Sequence, residues 1–180
     1  NQAMLIFRKE LRIFKIEAGV GYQNRNFDDP GIDDLDAFIY KFNVGGKGTI
    51  ANRRSYISFN IDQNLNDQTF EDEYFLATRF TLSGGHEFSR KLLGEVTGYY
   101  QISDYERSYG LTPEGTIDQR KDDTFELSGT ISYKFARWLI FSVTAGYQNR
   151  DSNLAGLSYD NNFLISRLEF AYDWAENNPD

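Results

Sequence analysis

Charged side chains recur at every second position of several segments in this sequence, and apolar residues lie between them. A period of two places such residues on one face of an extended strand. A face that carries both signs of charge can filter ions and bind polar solutes where water reaches it. The sequence therefore predicts a polar face that contains Lys15, Glu17, Lys41, Arg79, Glu95, Glu126, Lys134, Arg167 and Glu169.

Residue types that perform catalysis are scarce. His86 is the only histidine and follows two glycines at the end of a strand pattern. A phospholipase arrangement of Ser, His and Asn would need a Ser and an Asn beside His86. Ser142 and Asn149 occur only as ordinary strand positions. We predict a solvated histidine near a turn and a protein that is not an enzyme.

Stretches rich in Asp and Asn could offer calcium its preferred oxygen ligands. They are Asp28–Asp36, Asn60–Asp72 and Asp118–Asp123, and none has the spacing of an EF-hand. The absence of cysteine excludes a disulfide scaffold and a thiolate metal site. We favour solvated acidic loops and predict no cofactor and no metal.

Long strands must position the charged face. From Phe125 to Lys134 every second residue is apolar or Gly and the others are polar, and the pattern continues after a tight turn at Arg137. The chain contains eight such strands of roughly 10–15 residues, preceded by a short one at Met4–Arg8. Tight turns alternate with long polar loops, which are predicted at Phe27–Asp34, Asn66–Asp72, Arg107–Asp122 and Ser152–Tyr159.

One hairpin is repeated along the chain. The pentapeptide Gly-Tyr-Gln-Asn-Arg occurs at Gly21–Arg25 and again at Gly146–Arg150, each time near the end of a strand that follows a tight turn. Repetition of a hairpin unit is typical of an up-and-down meander.

The apolar face favours contact with lipid. Strands of this length can cross a bilayer at a tilt, and aromatic residues bound the apolar stretch at both ends. The two aromatic rows, or girdles, are Phe88, Phe135 and Trp138 at the turn end, and Tyr22, Tyr100 and Tyr147 at the other end. In a soluble lipocalin-like binder, the less favoured alternative, the charged face would be buried at a cost of several kcal/mol for each unpaired charge.

Bulk properties exclude other classes. A net charge of −8 is unsuited to nucleic acid, because a phosphate backbone needs a positive surface. The sequence has no run of about 18 apolar residues, so it predicts no transmembrane helix. We predict an all-β protein, a transmembrane up-and-down antiparallel β-barrel, with residues 1–180 as a single barrel domain or barrel segment.

The segment Phe135–Arg150, with Asp151–Asn162 after it, resembles the outer-membrane proteins of the Putative beta-barrel porin 2 family, which are often encoded with exopolysaccharide export systems. The resemblance implies a passive pore or export channel in the bacterial outer membrane, for polysaccharide or small solutes. It also implies contact with outer-membrane lipid and lipopolysaccharide, with the barrel-assembly machinery and with envelope export partners.

Two interpretations of the barrel remain. The short first strand and the last strand run in the same direction, so they cannot pair as antiparallel neighbours, and Trp174 is followed by Ala175–Asp180 rather than ending the chain. Either the first strand lies outside an eight-stranded barrel, whose inner charges then form a plug of salt bridges, or the chain is part of a larger barrel with an open pore. We favour the larger barrel. The alternative function is a small non-conducting barrel that anchors or binds a partner through its loops.

Overall fold

Alternating apolar and polar residues build a single sheet. The computed structural model describes residues 2–25, 35–68 and 73–170, which form a nine-stranded sheet whose strand order is the chain order. The strands are β1 Gln2–Glu10, β2 Phe14–Arg25, β3 Leu35–Ile50, β4 Arg53–Gln68, β5 Glu73–Glu87, β6 Leu92–Leu111, β7 Ile117–Ala136, β8 Leu139–Ser152 and β9 Tyr159–Phe170. Each strand pairs antiparallel with the next. The predicted all-β antiparallel meander is confirmed.

Tight turns lie at one end of the sheet. One of them joins β3 to β4 through Ala51 and Asn52, whose φ angles of 48° and 61° are those of a two-residue hairpin turn. Between β5 and β6, the Ser89 hydroxyl accepts hydrogen bonds from the backbone N–H groups of Lys91 and Leu92 at 3.2 and 3.0 Å. These closed turns fix the register of each hairpin.

At the opposite end of the sheet, three stretches that were predicted to be loops are largely strands. The prediction of a loop over Arg107–Asp122 is wrong, because β6 and β7 continue through most of it and leave only residues 112–116 between them. Asn60–Gln68 belongs to β4 and Asp118–Asp123 to β7, so these are not loops either. Polar residues occupy both faces of these strand extensions, which removes the contrast that marks a strand in sequence. Phe27–Asp34 and the remainder of Asn66–Asp72 lie outside the described residues.

The first strand is a full member of the sheet. β1 pairs with β2 from Gln2, opposite Gln23, to Glu10, opposite Lys15. In a meander of this order β1 and β9 run in the same direction, and they form the two edges of the described sheet. An antiparallel barrel has an even number of strands, so this sheet needs further strands to close in that way.

Buried apolar side chains are few among the described residues. Ala37, Ile39 and Leu65 form one small cluster, with Met4 and Leu76 packed against it. None of the described segments is a helix long and apolar enough to cross a membrane.

Candidate functional site

One face of the sheet, which we call the outer face, is apolar and exposed. Cross-strand pairs such as Phe59–Leu82, Leu82–Gly98 and Leu127–Tyr147 place the apolar residues of successive strands side by side. Leu82, Leu127 and Ile131 are 55%, 49% and 62% exposed. Since no second layer of protein covers these side chains among the described residues, the outer face is suited to lipid.

The apolar band crosses the sheet obliquely. Phe14 begins the apolar run of β2 at the turn end, and Tyr22 ends it eight residues later. The cross-strand pairs connect Phe14, strand by strand, to Leu164 of β9. Leu164 begins the apolar run of its strand at the loop end, after Asp160 and Asn162. The loop-end limit of the band thus moves by eight residues over the seven steps from β2 to β9.

This drift measures the tilt of the strands. A membrane boundary is flat, whereas the rows of paired residues run perpendicular to the strands. A drift of about one residue per strand, with a rise of about 3.3 Å per residue and a strand spacing of about 4.8 Å, corresponds to a tilt of about 35°. Strands of outer-membrane barrels are tilted by about 35–45°. The oblique band is therefore what a single lipid layer imposes on tilted strands.

Aromatic rings lie at the turn end of the band. Phe88, Phe135 and Trp138 are 61%, 54% and 52% exposed. Each contacts a further ring, at centroid distances of 5.0 Å for Phe88 with His86, 4.8 Å for Phe135 with Tyr133 and 6.1 Å for Trp138 with Phe170. The ring pairs form a broader aromatic border than the three residues expected from the sequence.

The tyrosines at the loop end share one arrangement, which we call the Tyr–Asp clasp. Tyr147 of β8 donates a hydrogen bond of 2.6 Å to Asp160 of β9. Asp160 lies two residues from Asn162, which is the direct cross-strand partner of Tyr147. Tyr100 bonds to Asp123 with the same offset.

The duplicated pentapeptide makes this clasp twice. Tyr22 is hydrogen-bonded to Asp36, to which Asn24 also donates at 2.6 Å. In the second copy Asn149 donates to Asp160 at 2.9 Å beside Tyr147. The repeat therefore encodes a Tyr and an Asn that hold one carboxylate of the next strand. The repeat is visible in the sequence, but nothing local in the sequence relates it to the distant aspartates.

The opposite face, which we call the inner face, carries the charged residues that were predicted together. Glu17 contacts Arg8 and Lys41, both at 2.5 Å, and thus links β1, β2 and β3. Gln148 donates to Glu126 at 3.3 Å. The register also places Lys134, Arg167 and Glu169 on this face, where they make no side-chain hydrogen bond or ion pair with other described residues. Lys15 lies 3.4 Å from Glu10.

Glycine lets one inner contact span three strands. Tyr56 of β4, Gly85 of β5 and Glu95 of β6 are successive cross-strand partners. The ring of Tyr56 lies over Gly85, where an added Cβ would be 2.3 Å from the ring, and its hydroxyl donates to Glu95. Any side chain at Gly85 would block this hydrogen bond.

Arg79 is turned away from the carboxylate opposite it. Asp62 is its direct cross-strand partner, but Asp62 accepts hydrogen bonds from Asn60 and Asn64 at 2.7 and 3.1 Å. The Arg79 guanidinium instead donates to Gln101 Oε1 at 2.5 and 2.8 Å. No carboxylate of the described residues forms an ion pair with it.

An ionic cluster missing from the prediction lies near the loop end of the inner face. Asp122 Oδ2 accepts from Arg120 at 2.9 Å and also from Arg150, and the residue is only 1% exposed. The Arg120 guanidinium lies 4.0 Å from the centre of the Tyr105 ring. Burial alone would raise the pKa of Asp122, but the hydrogen bonds from the two arginines outweigh it and hold the pKa below its ordinary value.

The β8–β9 connection packs against the loop ends of β6 and β7. The side-chain amide of Asn153 bonds to the backbone of β7 as a neighbouring strand would. Its oxygen accepts a hydrogen bond from Lys121 N and its nitrogen donates one to Gln119 O, both at 2.7 Å. Ala155 N donates to Leu111 O at 2.8 Å. Leu154 is 6% exposed and lies against Gly110. The loop thereby anchors the ends of β6 and β7.

Among the described residues, the histidine and the candidate metal ligands do not form a site. His86 Nδ1 lies 2.8 Å from Ser55 Oγ, and within the described ranges no carboxylate or Asn bonds to the ring. The phospholipase-type arrangement is not formed: Ser142 lies on the inner face against Ser132, whereas His86 and Asn149 lie on the outer face. Over the same ranges no group of His, Asp and Glu is arranged to hold a metal ion.

Long antiparallel strands in a meander, with an oblique exposed apolar band on one face and charges on the other, define an outer-membrane β-barrel protein. The chain belongs to the Putative beta-barrel porin 2 family, whose model matches residues 11–172. The protein is located in the bacterial outer membrane. None of the curated protein sequences compared with the chain matches it.

Solved structures share the fold. The chain is similar to OmpT, an outer membrane protein of Vibrio cholerae, with a TM-score of 0.51 for the in-vitro folded form and 0.54 for a mutant that lacks loop L8. Both are 16% identical to the chain in sequence, and both alignments cover 94% of it. The chain spans about half of these proteins, 56% of the folded form and 53% of the mutant.

Proposed function

We propose that this chain forms part of the wall of a passive outer-membrane pore, which admits small solutes or exports polysaccharide. The observation that carries the proposal is the pattern of inner-face contacts. The side-chain contacts described on that face join strands at most two apart, as in Arg8–Glu17–Lys41 and Tyr56–Glu95. A plug of salt bridges across a narrow barrel would instead join strands from opposite walls.

The strand topology supports a wide barrel. The described edges run in the same direction, and antiparallel closure then requires an odd number of further strands. The chain spans about half of the barrels that it resembles. Barrels of about 16 strands leave an aqueous channel, whereas eight-stranded barrels are filled by side chains. In the wider barrel the charged inner face lines water.

Each part of the sheet then has a role. The charge selectivity of the lumen is set by the charged residues of the inner face, Lys15, Glu17, Lys41, Arg79, Glu95, Glu126, Lys134, Arg167 and Glu169. The aromatic rows lie at the two membrane boundaries, and the tyrosine row contacts lipopolysaccharide in the outer leaflet. The barrel-assembly machinery inserts the protein, and envelope export partners meet the turn end on the periplasmic side.

Planar-bilayer recording of the full-length protein tests the proposal. We expect the current to rise in discrete steps as single pores insert. The size of each step should increase linearly with voltage, because a passive pore has no gating charge to move. A folded, membrane-inserted protein without measurable conductance would overturn the pore. That outcome would favour the alternative, a non-conducting barrel that binds a partner through the β6–β7 extension, where Tyr109, Leu111 and Ile117 are exposed.

A further inference from the structure

A hollow on the inner face joins β5, β6, β7, β8 and β9 near the loop end. Its volume is about 180 Å³, which equals roughly six water molecules and suits one sugar ring. Two adjacent rows of cross-strand partners form its floor. One contains Arg79, Gln101, Thr124, Arg150 and Tyr159, and the other contains Tyr99 and Gln148.

One cation of the hollow forms no ion pair with a described carboxylate. The Arg150 guanidinium is paired with Asp122, whereas the Arg79 guanidinium bonds to the neutral amide oxygen of Gln101. Glu126 lies in the row of Tyr99 and Gln148 and accepts a hydrogen bond from Gln148. A guanidinium that is bonded to an amide rather than to a carboxylate indicates an anionic ligand.

Aromatic and amide groups are positioned for a ring that carries hydroxyl groups. The Arg79 guanidinium lies 4.8 Å from the centre of the Tyr99 ring, and Gln148 is fixed between the hydroxyls of Tyr99 and Tyr159 at 3.0 and 3.1 Å. These contacts hold the rings and the amide in place before a ligand arrives, which lowers the cost of binding. Ring faces pack on the C–H groups of a sugar, while amides and hydroxyls both donate to and accept from its hydroxyls.

We propose that this hollow is a binding site for an acidic sugar, a hexuronate unit whose carboxylate is held by Arg79 and whose ring lies against Tyr99 and Tyr159. Arginine binds carboxylates through two parallel hydrogen bonds, and Gln101 is the group that a carboxylate would replace on Arg79. This proposal rests on the proposed pore, because the site would be the first contact of a solute at the loop-end mouth.

A saturation-transfer NMR titration of the full-length protein in detergent tests the site. The probes are glucuronate, glucose and acetate, and the variants are Arg79→Gln, Arg79→Lys and Lys47→Gln. We expect saturable binding of glucuronate and affinity at least about tenfold weaker for glucose and acetate. Arg79→Gln should lose about tenfold in affinity for glucuronate, Arg79→Lys should lose less, and Lys47→Gln, a cation of the inner face outside the hollow, should lose none.

The outcomes separate the site from the pore. Absence of saturable glucuronate binding in a protein that conducts ions would overturn the site and leave the pore. Equal affinity for glucose and glucuronate, or an unchanged Arg79→Gln variant, would overturn the acidic-sugar assignment. Binding that depends on Arg79 in a protein without conductance would support the site and overturn the pore.

Discussion

Tyr147 and Asp160 lie on neighbouring strands and are joined by a hydrogen bond of 2.6 Å from the phenol to the carboxylate. Tyr22 and Asp36 repeat the contact in the other copy of the same pentapeptide. Tyrosine is enriched where a membrane meets water, because its ring is apolar and its hydroxyl polar. The clasp supplies that hydroxyl with a partner and fixes where the apolar band ends.

Removal of one clasp should weaken the sheet at this boundary. Asp160→Asn should lower the urea midpoint of unfolding in lipid vesicles more than Tyr147→Phe, because Asp160 accepts from both Tyr147 and Asn149. Tyr133→Phe is the control, since no described residue hydrogen-bonds to that phenol at the turn end. Equal midpoints for all three variants would show that the clasp contributes nothing.

Gly85 should not tolerate a side chain. Gly85→Ala forces the Tyr56 ring to move and breaks its hydrogen bond to Glu95, so we expect a loss of about 1–3 kcal/mol in unfolding free energy. Gly45→Ala is the matched control on the same face, because an added Cβ there lies 3.7 Å from the nearest atom, an ordinary contact. Equal stability of the two variants would contradict the role of Gly85.

Acid should loosen the loop end of β6, β7 and β8. The pKa of Asp122 is lowered by folding, so its ionised form stabilises the folded state at pH values above the ordinary pKa of an aspartate, and this contribution is lost as the pH falls through the lowered pKa. Amide hydrogen exchange at Tyr105 and Ser152 should accelerate in this range.

Asp122→Asn should reproduce the acid effect at neutral pH, with a loss of about 2 kcal/mol, because it removes the negative charge that both arginines contact. The variant should then show a flatter pH dependence than the parent. The role of Asp122 would be contradicted if, in the parent protein, the exchange rates at Tyr105 and Ser152 changed with pH only as the intrinsic rate of amide exchange does.

Asn60 and Asn64 should act on the hollow from outside it. Replacing both with Ala leaves Asp62 without its two amide donors, and Arg79 opposite it then gains a carboxylate partner. We expect weaker binding of glucuronate, measured by the same titration. Adding Asp62→Asn to the double variant should restore the affinity, and failure to restore it would show that Arg79 is not retained by these asparagines.

Much of the fold was readable from the sequence because the apolar and polar faces differ strongly within the membrane. Apolar residues such as Phe125, Leu127 and Ile131 alternate with Glu126 and Thr130. A strand with one apolar face produces this period of two, whereas an amphipathic helix does not. The same reasoning placed Arg107–Asp122 in a loop, because Gln119, Lys121 and Asp123 make the second face of β7 polar too. Where a strand extends beyond the lipid it no longer needs an apolar face, so the alternation of apolar and polar residues that marks it in the sequence disappears.

The site was less accessible to sequence reasoning. Alternation places Arg79 and Gln148 on one face, but cross-strand register decides which neighbours they meet. Asp122 and Arg150 are 28 positions apart, and nothing local in the sequence relates them. Opposite charges in register do not ensure an ion pair either, since Arg79 faces Asp62 and bonds to Gln101.

The lipid-facing assignment can be challenged by charge. Ile131→Arg places a cation in the middle of the apolar run of β7, where we expect a loss of about 2–4 kcal/mol. Ser132→Arg, at the next residue of β7 on the inner face, should be tolerated. Comparable destabilisation of both variants in a vesicle unfolding assay would contradict the assignment of the two faces.

The oblique band predicts where lipid contact is centred on each strand. Quenching of a fluorophore by brominated lipid should be greatest near Ala18 on β2. On β9 it should be greatest near Leu168, which lies closer to the turns in register. Maxima that fall in one row of cross-strand partners would mean untilted strands and contradict the tilt of about 35°.

Cysteine accessibility along β7 tests the central claim most directly, because the chain contains no cysteine of its own. Single cysteines from residue 125 to 134 would be introduced one at a time and examined in lipid vesicles. Cysteines at even positions should react with a membrane-impermeant thiol reagent, and cysteines at odd positions should resist it. In a second experiment each cysteine is labelled with a fluorophore while the protein is unfolded, and after refolding into vesicles the label at odd positions should be quenched by nitroxide lipid. A period of two in both signals, in opposite phase, is the predicted result. Uniform reactivity at all positions, or the reverse phase, would contradict a lipid-facing outer surface and a water-lined inner one.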